Sequence, residues 1–169
     1  MNGHDLIIQE GGTITGTTGN PARYPQIDVW SGFSSGAGGS ITSKGILNAY
    51  IDVSSTDVSI SIEGGSVENI MLYDGSISVT DGTVNHLQTW GTAEVTISGT
   101  PVIGALGFDV DTNNEGIWGS LTITGGYFGN NPYEIVNARE DIKAHIETDI
   151  PEPEAYTNQA DWAVDHTVY

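Results

Sequence analysis

Cysteine is absent from the 169 residues, which excludes a disulfide framework and any thiolate metal site. Lysine and arginine together number four against 22 aspartates and glutamates, a formal charge of -18. So few cations cannot displace counterions from a phosphate backbone, and nucleic acid is excluded as a natural partner. The same shortage excludes a fold dominated by amphipathic Glu/Lys helices. No stretch approaches the ~18 consecutive apolar residues of a membrane span. The opening residues, "MNGHDLIIQEGG", lack the basic start and apolar run of a secretory signal. No cofactor is expected from this composition.

What is present in excess is glycine, at 23 residues, together with serine and threonine. The glycines recur in step with apolar residues, so the chain is read for repeats before anything else. One column of apolar positions runs Ile14, Ile46, Val67, Val84, Val102, Phe128, and a second runs Ile8, Ile41, Ile62, Val79, Ile97, Ile123. A third, two residues earlier, runs Leu6, Gly39, Ile60, Ile77, Val95, Leu121, and with the second makes the period-2 pattern of a strand with one buried face. Glycine-rich corners such as Gly64-Gly65, Asp81-Gly82 and Gly125-Gly126 separate the strands, with Ser43-Lys44 at the matching place in an earlier repeat. Asn48, Asn69, His86 and Gly104 mark a second corner.

A repeat this short cannot bury its own apolar face, so it must stack on its neighbours. Coiling the chain so that each strand pairs with its counterpart one turn on, ~4.8 Å away, satisfies the backbone and lines up like side chains inside. The expectation is all-β: a single-stranded parallel β-helix of about six rungs over residues 1–136, with a short capping helix and an extended acidic tail over 137–169. These columns resemble the right-handed β-helices of the pectin-lyase-like group. The phrase "LTITGGYFGNNPYEIV" is similar to the closing phrase of "isGGtF" repeats in bacterial and phage surface proteins. The resemblance spans Leu6 to Val136 and implies the right-handed sense of the coil.

Insertions in a solenoid fall at corners and carry whatever binding there is. Three stand out: "TGTTGNPARYPQ", "SGFSSGAGGS" and "DVDTNNEGIWG". The last holds Asp109, Asp111, Asn113 and Glu115, oxygen ligands at alternate positions as a calcium loop has, although Asn114 and Ser120 depart from the EF-hand pattern. The alternative is an ordinary polar loop. Aromatic residues on successive repeats, Trp30, Tyr73, Trp90 and Phe108, with Asp52 between them, flank an expected outward column of Asp28, Tyr50, Met71, Gln88 and Leu106. Trp30, Tyr50, Tyr73, Trp90, Phe108 and Trp118 are therefore the candidate binding residues. A contiguous face of that kind is too apolar to be left in water. A sister subunit, the C-terminal tail or a stacked glycan could cover it, and the first implies a homo-oligomer, a trimer by preference. The tail has a candidate helix from Tyr133 to Ile146, ended by Pro151 and Pro153.

Lyases of the resembling group use Lys or Arg to stabilise charge, and their hydrolase relatives use Asp clustered on neighbouring rungs. Arg23, Lys44, Arg139 and Lys143 stand at unrelated positions, and Asp52, Asp74, Asp81 and Asp109 do not share a column. Nor do His4, His86, His145 and His166 fall in a triad arrangement. No catalysis is expected. The leading expectation is a structural or attachment protein at the surface of a phage virion: a spike, fibre or capsid decoration among neighbouring subunits. The second is a carbohydrate-binding adhesin module at the bacterial surface or outside the cell, and the third a small polysaccharide lyase or hydrolase. None of these acts on nucleic acid or membrane.

Overall fold

The computed structural model describes residues 4–15, 26–30, 39–54, 56–108, 119–130 and 146–148. These residues hold strands and no helix, in one parallel sheet wound as a β-solenoid of about four turns. The uninterrupted turns are β4 (Gly39–Ser43) with β5 (Ile46–Ser54), then β6 (Val58–Leu72), then β7 (Ser76–Thr89), then β8 (Glu94–Ile97) with β9 (Val102–Phe108). Strands β1 (Asp5–Ile8), β2 (Thr13–Thr15) and β3 (Gln26–Trp30) extend them at one end, and β10 (Ser120–Ile123), β11 (Tyr127–Phe128) and β12 (Ile146–Thr148) at the other. The expected count of about six rungs would require these end strands to close into further turns. The chain that links them, 16–25, 31–38, 109–118 and 131–145, lies outside the described residues.

Each turn bends twice, so the strands stack in three ladders. The first runs β1-β4-β6-β7-β8-β10-β12. The second joins β2, the start of β5, the middle of β6 and β7, the start of β9, and β11. The third joins β3 to the later parts of β5, β6, β7 and β9. Strand β12 pairs Leu121 with Ile146 in parallel, so the sheet reaches past residue 136. The helix expected from Tyr133 to Ile146 otherwise lies outside the described residues, but Ile146 itself is strand.

Inward side chains align as like on like. Ile60, Ile77 and Val95 succeed one another in the first ladder, Val67 and Val84 in the second, and Ile51, Ile70, Leu87 and Leu106 in the third, all buried. Burying an Ile or Leu in this way contributes about 1.5–3 kcal/mol before the entropy of ordering the chain is set against it.

The register corrects several column assignments. Ile41 stands opposite Ile60, and Ser43, fully buried, takes the place beside Ile8 and Ile62 that the sequence pattern assigned to Ile41. Leu47 and Ile103, not Ile46 and Val102, pair with the column of Val67 and Val84. The first is a slip of two residues, which keeps the same face. The second is a slip of one, which exchanges inside for outside. In both of the latter cases two apolar residues are adjacent, and pattern alone cannot choose between them.

The glycine corner also stacks, with Gly45 rather than Ser43-Lys44 lying next to Gly65, and Gly65 next to Gly82. Beside it Lys44 Nζ lies 3.0 Å from Glu63 Oε2 on the following turn, and Ser61 Oγ donates to Glu63 Oε1 at 3.1 Å. The hydrogen bond from Lys44, then that from Ser61, then the Lys44 charge hold the Glu63 carboxyl below the usual carboxylate range. A lowered folded-state pKa means a contribution present above the ordinary carboxylate pKa and lost as the pH falls through the folded value. Both groups are open to water, so the effect on stability is small. Lys44→Met is expected to move the Glu63 titration upward, read by carboxyl NMR. An unmoved curve would show that the clip does not form.

Candidate functional site

The third ladder sets the face on which the sequence placed its candidate binding residues. Inward positions there are Ile27, Ile51, Ile70, Leu87, Leu106 and the row of Val53, Leu72, Thr89 and Phe108. Outward positions alternate with them and form two rows. One is Asp52, Met71, Gln88, Gly107, with Asp28 in backbone register with Asp52. The other begins with Ser54, in backbone register with Trp30, and continues, one residue beyond the paired strands, through Tyr73 and Trp90. Backbone bonds from Tyr73 N to Val53 O and from Trp90 N to Leu72 O carry the ladder that far.

This arrangement changes the expected aromatic row in three ways. Phe108 and Leu106 are buried and belong to the core. Ser54, not Asp52, stands between Trp30 and Tyr73, and Asp52 lies in the neighbouring row. Tyr50 pairs with Asn69, which is buried, and Asn69 with His86, so Tyr50 sits at the corner before the face and not on it. The cause is again register: the one-residue slip at Leu47 and the one-residue irregularity that β5 carries between Leu47 and Tyr50 add to a displacement of two residues relative to spacing read from the sequence. The apolar part of the face contracts to Met71, Tyr73 and Trp90, bordered by Asp52, Ser54 and Gln88. The premise that a large apolar surface needs a cover contracts with it. Trp118 and the acidic loop of Asp109, Asp111, Asn113 and Glu115 lie outside the described residues. Among the described residues no three His, Asp or Glu side chains gather as a metal site.

Tyr73 and Trp90 are placed together as expected, but not as a platform. Their ring centroids are 4.7 Å apart and their planes 15° from parallel. Coplanar rings cannot approach so closely, so the two lie face to face along the solenoid axis, one rung apart. Each covers one face of the other, which contributes about 0.5–1.5 kcal/mol beyond burial. Tyr73 keeps 40% of its surface exposed beside this stack. Gln88 lies over Gly107, where a Cβ would come within 1.9 Å of its Oε1. Thr92 Oγ1 donates to Asp74 Oδ1 and ties the loop after Trp90 to the loop after Tyr73.

Register also places Glu63 opposite Asp81, which spacing kept apart, and Lys44 lies beside Glu63. A further feature escaped the sequence reading, the outer face of the first ladder. Ser40, Ser59, Ser76 and Glu94 form one row, and Thr42, Ser61, Ser78 and Thr96 the next. They line a shallow depression of about 270 Å³. Its signal is present in the phrases "SISI", "SISV", "EVTI" and "SLTI", whose polar alternates are nearly all hydroxyl-bearing. Comparison with protein-family models, with characterised proteins and with solved structures returned no match to this chain.

Proposed function

We propose that this chain is a non-catalytic structural or attachment protein, a stiff β-solenoid rod at the surface of a phage virion, where it acts as a spike, fibre segment or decoration among neighbouring subunits. The observation that carries this reading is the unbroken succession of turns from Gly39 to Phe108, each paired in parallel to the next around a filled core. Such a stack resists bending because each turn is hydrogen-bonded to its neighbours along its length. The end coils extend the rod toward about six rungs. A homo-oligomer, a trimer by preference, is part of the proposal, with Met71, Tyr73 and Trp90 as the contact.

A second reading, a glycan-binding adhesin module at a bacterial surface, is favoured by the partly exposed Tyr73 ring near the outward positions Asp52, Ser54 and Gln88. The two readings separate in the source genome and in solution. The virion reading expects the reading frame to lie among particle-assembly genes, and sedimentation equilibrium of the full chain to give a trimer. A secretion signal or cell-wall anchor encoded in the same frame overturns it, and a monomer at high concentration removes the oligomer. Retention on a glycan array that is lost in Tyr73→Ala, with the fold intact, would establish the adhesin in its place.

A further inference from the structure

Among the described residues the third ladder ends at β9. Among the described residues no strand pairs with Ala105–Phe108 on the side away from β7, since β11 reaches only Val102 and Ile103. In a parallel ladder that open side presents backbone donors and acceptors ready to receive another strand. The side chain of Asn130 occupies this place. Its Oδ1 accepts from Leu106 N at 2.8 Å, and its Nδ2 donates to Leu106 O at 2.8 Å. A primary amide carries the same donor and acceptor as a peptide group, so Asn130 gives Leu106 what the next rung would give. It does so with one side chain and not with a strand, so no run of backbone donors and acceptors follows it at Leu106. Its own position is held by the neighbouring ladder, where Gly129 N donates to Ile103 O at 2.8 Å.

We propose that Asn130 is a built-in stop that seals the edge of the third ladder at Leu106 and keeps a strand of a second copy of this chain from adding there. The contact is autoinhibitory: the solenoid could be extended at this edge by any parallel strand of suitable pattern, and this chain is itself a series of such strands. Both bonds of the amide matter, since filling only one leaves Leu106 with an unmet group that a partner strand would satisfy.

The test uses the full chain with Asn130→Ala and Asn130→Asp, read by residue-resolved amide exchange and by light scattering across a concentration series. At neutral pH the aspartate keeps the acceptor for Leu106 N and loses the donor for Leu106 O. In Asn130→Ala the Leu106 amide is expected to exchange at least ~10-fold faster at low concentration while Ile70 and Leu87 keep their protection. Self-association is expected to rise with concentration in both variants and to be strongest in the alanine. Unchanged Leu106 protection in the alanine variant overturns the proposal, as does faster exchange with no concentration-dependent association in either variant. Loss of protection throughout the chain in Asn130→Ala leaves the aspartate variant to decide: association with Ile70 and Leu87 still protected supports the stop, and a monomer at every concentration overturns it.

Discussion

Gly65→Ala is expected to destabilise the protein by at least about 3 kcal/mol, lowering the midpoint of thermal unfolding by roughly 6–12 °C. Two costs combine. Gly65 has φ +71°, a left-handed conformation that costs an L-residue about 1–2 kcal/mol. Its missing Cβ would also lie 1.9 Å from the carbonyl oxygen of Gly45 on the preceding turn, a backbone atom that cannot swing aside. Gly11→Ala separates the two costs. Gly11 has φ +76° but nothing within 4 Å of the added methyl, so it bears the conformational cost alone and is expected to lose only about 1–2 kcal/mol. Equal losses at the two positions would mean that the corners do not stack as described. Gly82 has φ +84°, and a Cβ added there would lie 2.7 Å from Gly65 O, so Gly82→Ala is expected to follow Gly65→Ala.

Leu47→Ala is expected to cost about 2–5 kcal/mol, and Ile46→Ala no more than about 0.5 kcal/mol. Leu47 is fully buried beside Val67, whereas its neighbour Ile46 is 43% exposed and points outward. Denaturant melts of the two single variants measure the register directly, because a one-residue slip would exchange the two results. The same contrast is expected between Ile103→Ala and Val102→Ala, where Ile103 is buried and Val102 is paired with Thr83 on the outer side. If the larger loss fell on Ile46, the second ladder would be inside out.

Sequence by itself determined the kind of object this is. Apolar residues returning with short steps, alternating with polar ones and broken by glycine, leave stacking as the means of burying them, and stacking of a single chain gives parallel ladders. Val67 and Val84, Ile62 and Val79, Ile70 and Leu87 were legible as neighbours because the register irregularities on either side of Glu63 cancel and β6 and β7 keep one offset in all three ladders. Tertiary structure decided the register wherever the repeat was interrupted or two apolar residues stood side by side. The slip at Leu47 together with the irregularity in β5 moved Ser54 into the row of Tyr73, the β3 register set Asp52 opposite Asp28, and the choice of Leu106 and Phe108 for the core took them from the candidate face. Spacing cannot resolve such cases, since a slip of two preserves every inside-outside assignment while changing which residues meet. Nor could sequence foresee that Tyr73 and Trp90 stack upon each other, or that Asn130 bonds to Leu106. Both depend on which atoms the coil brings within ångströms, and no local pattern encodes that.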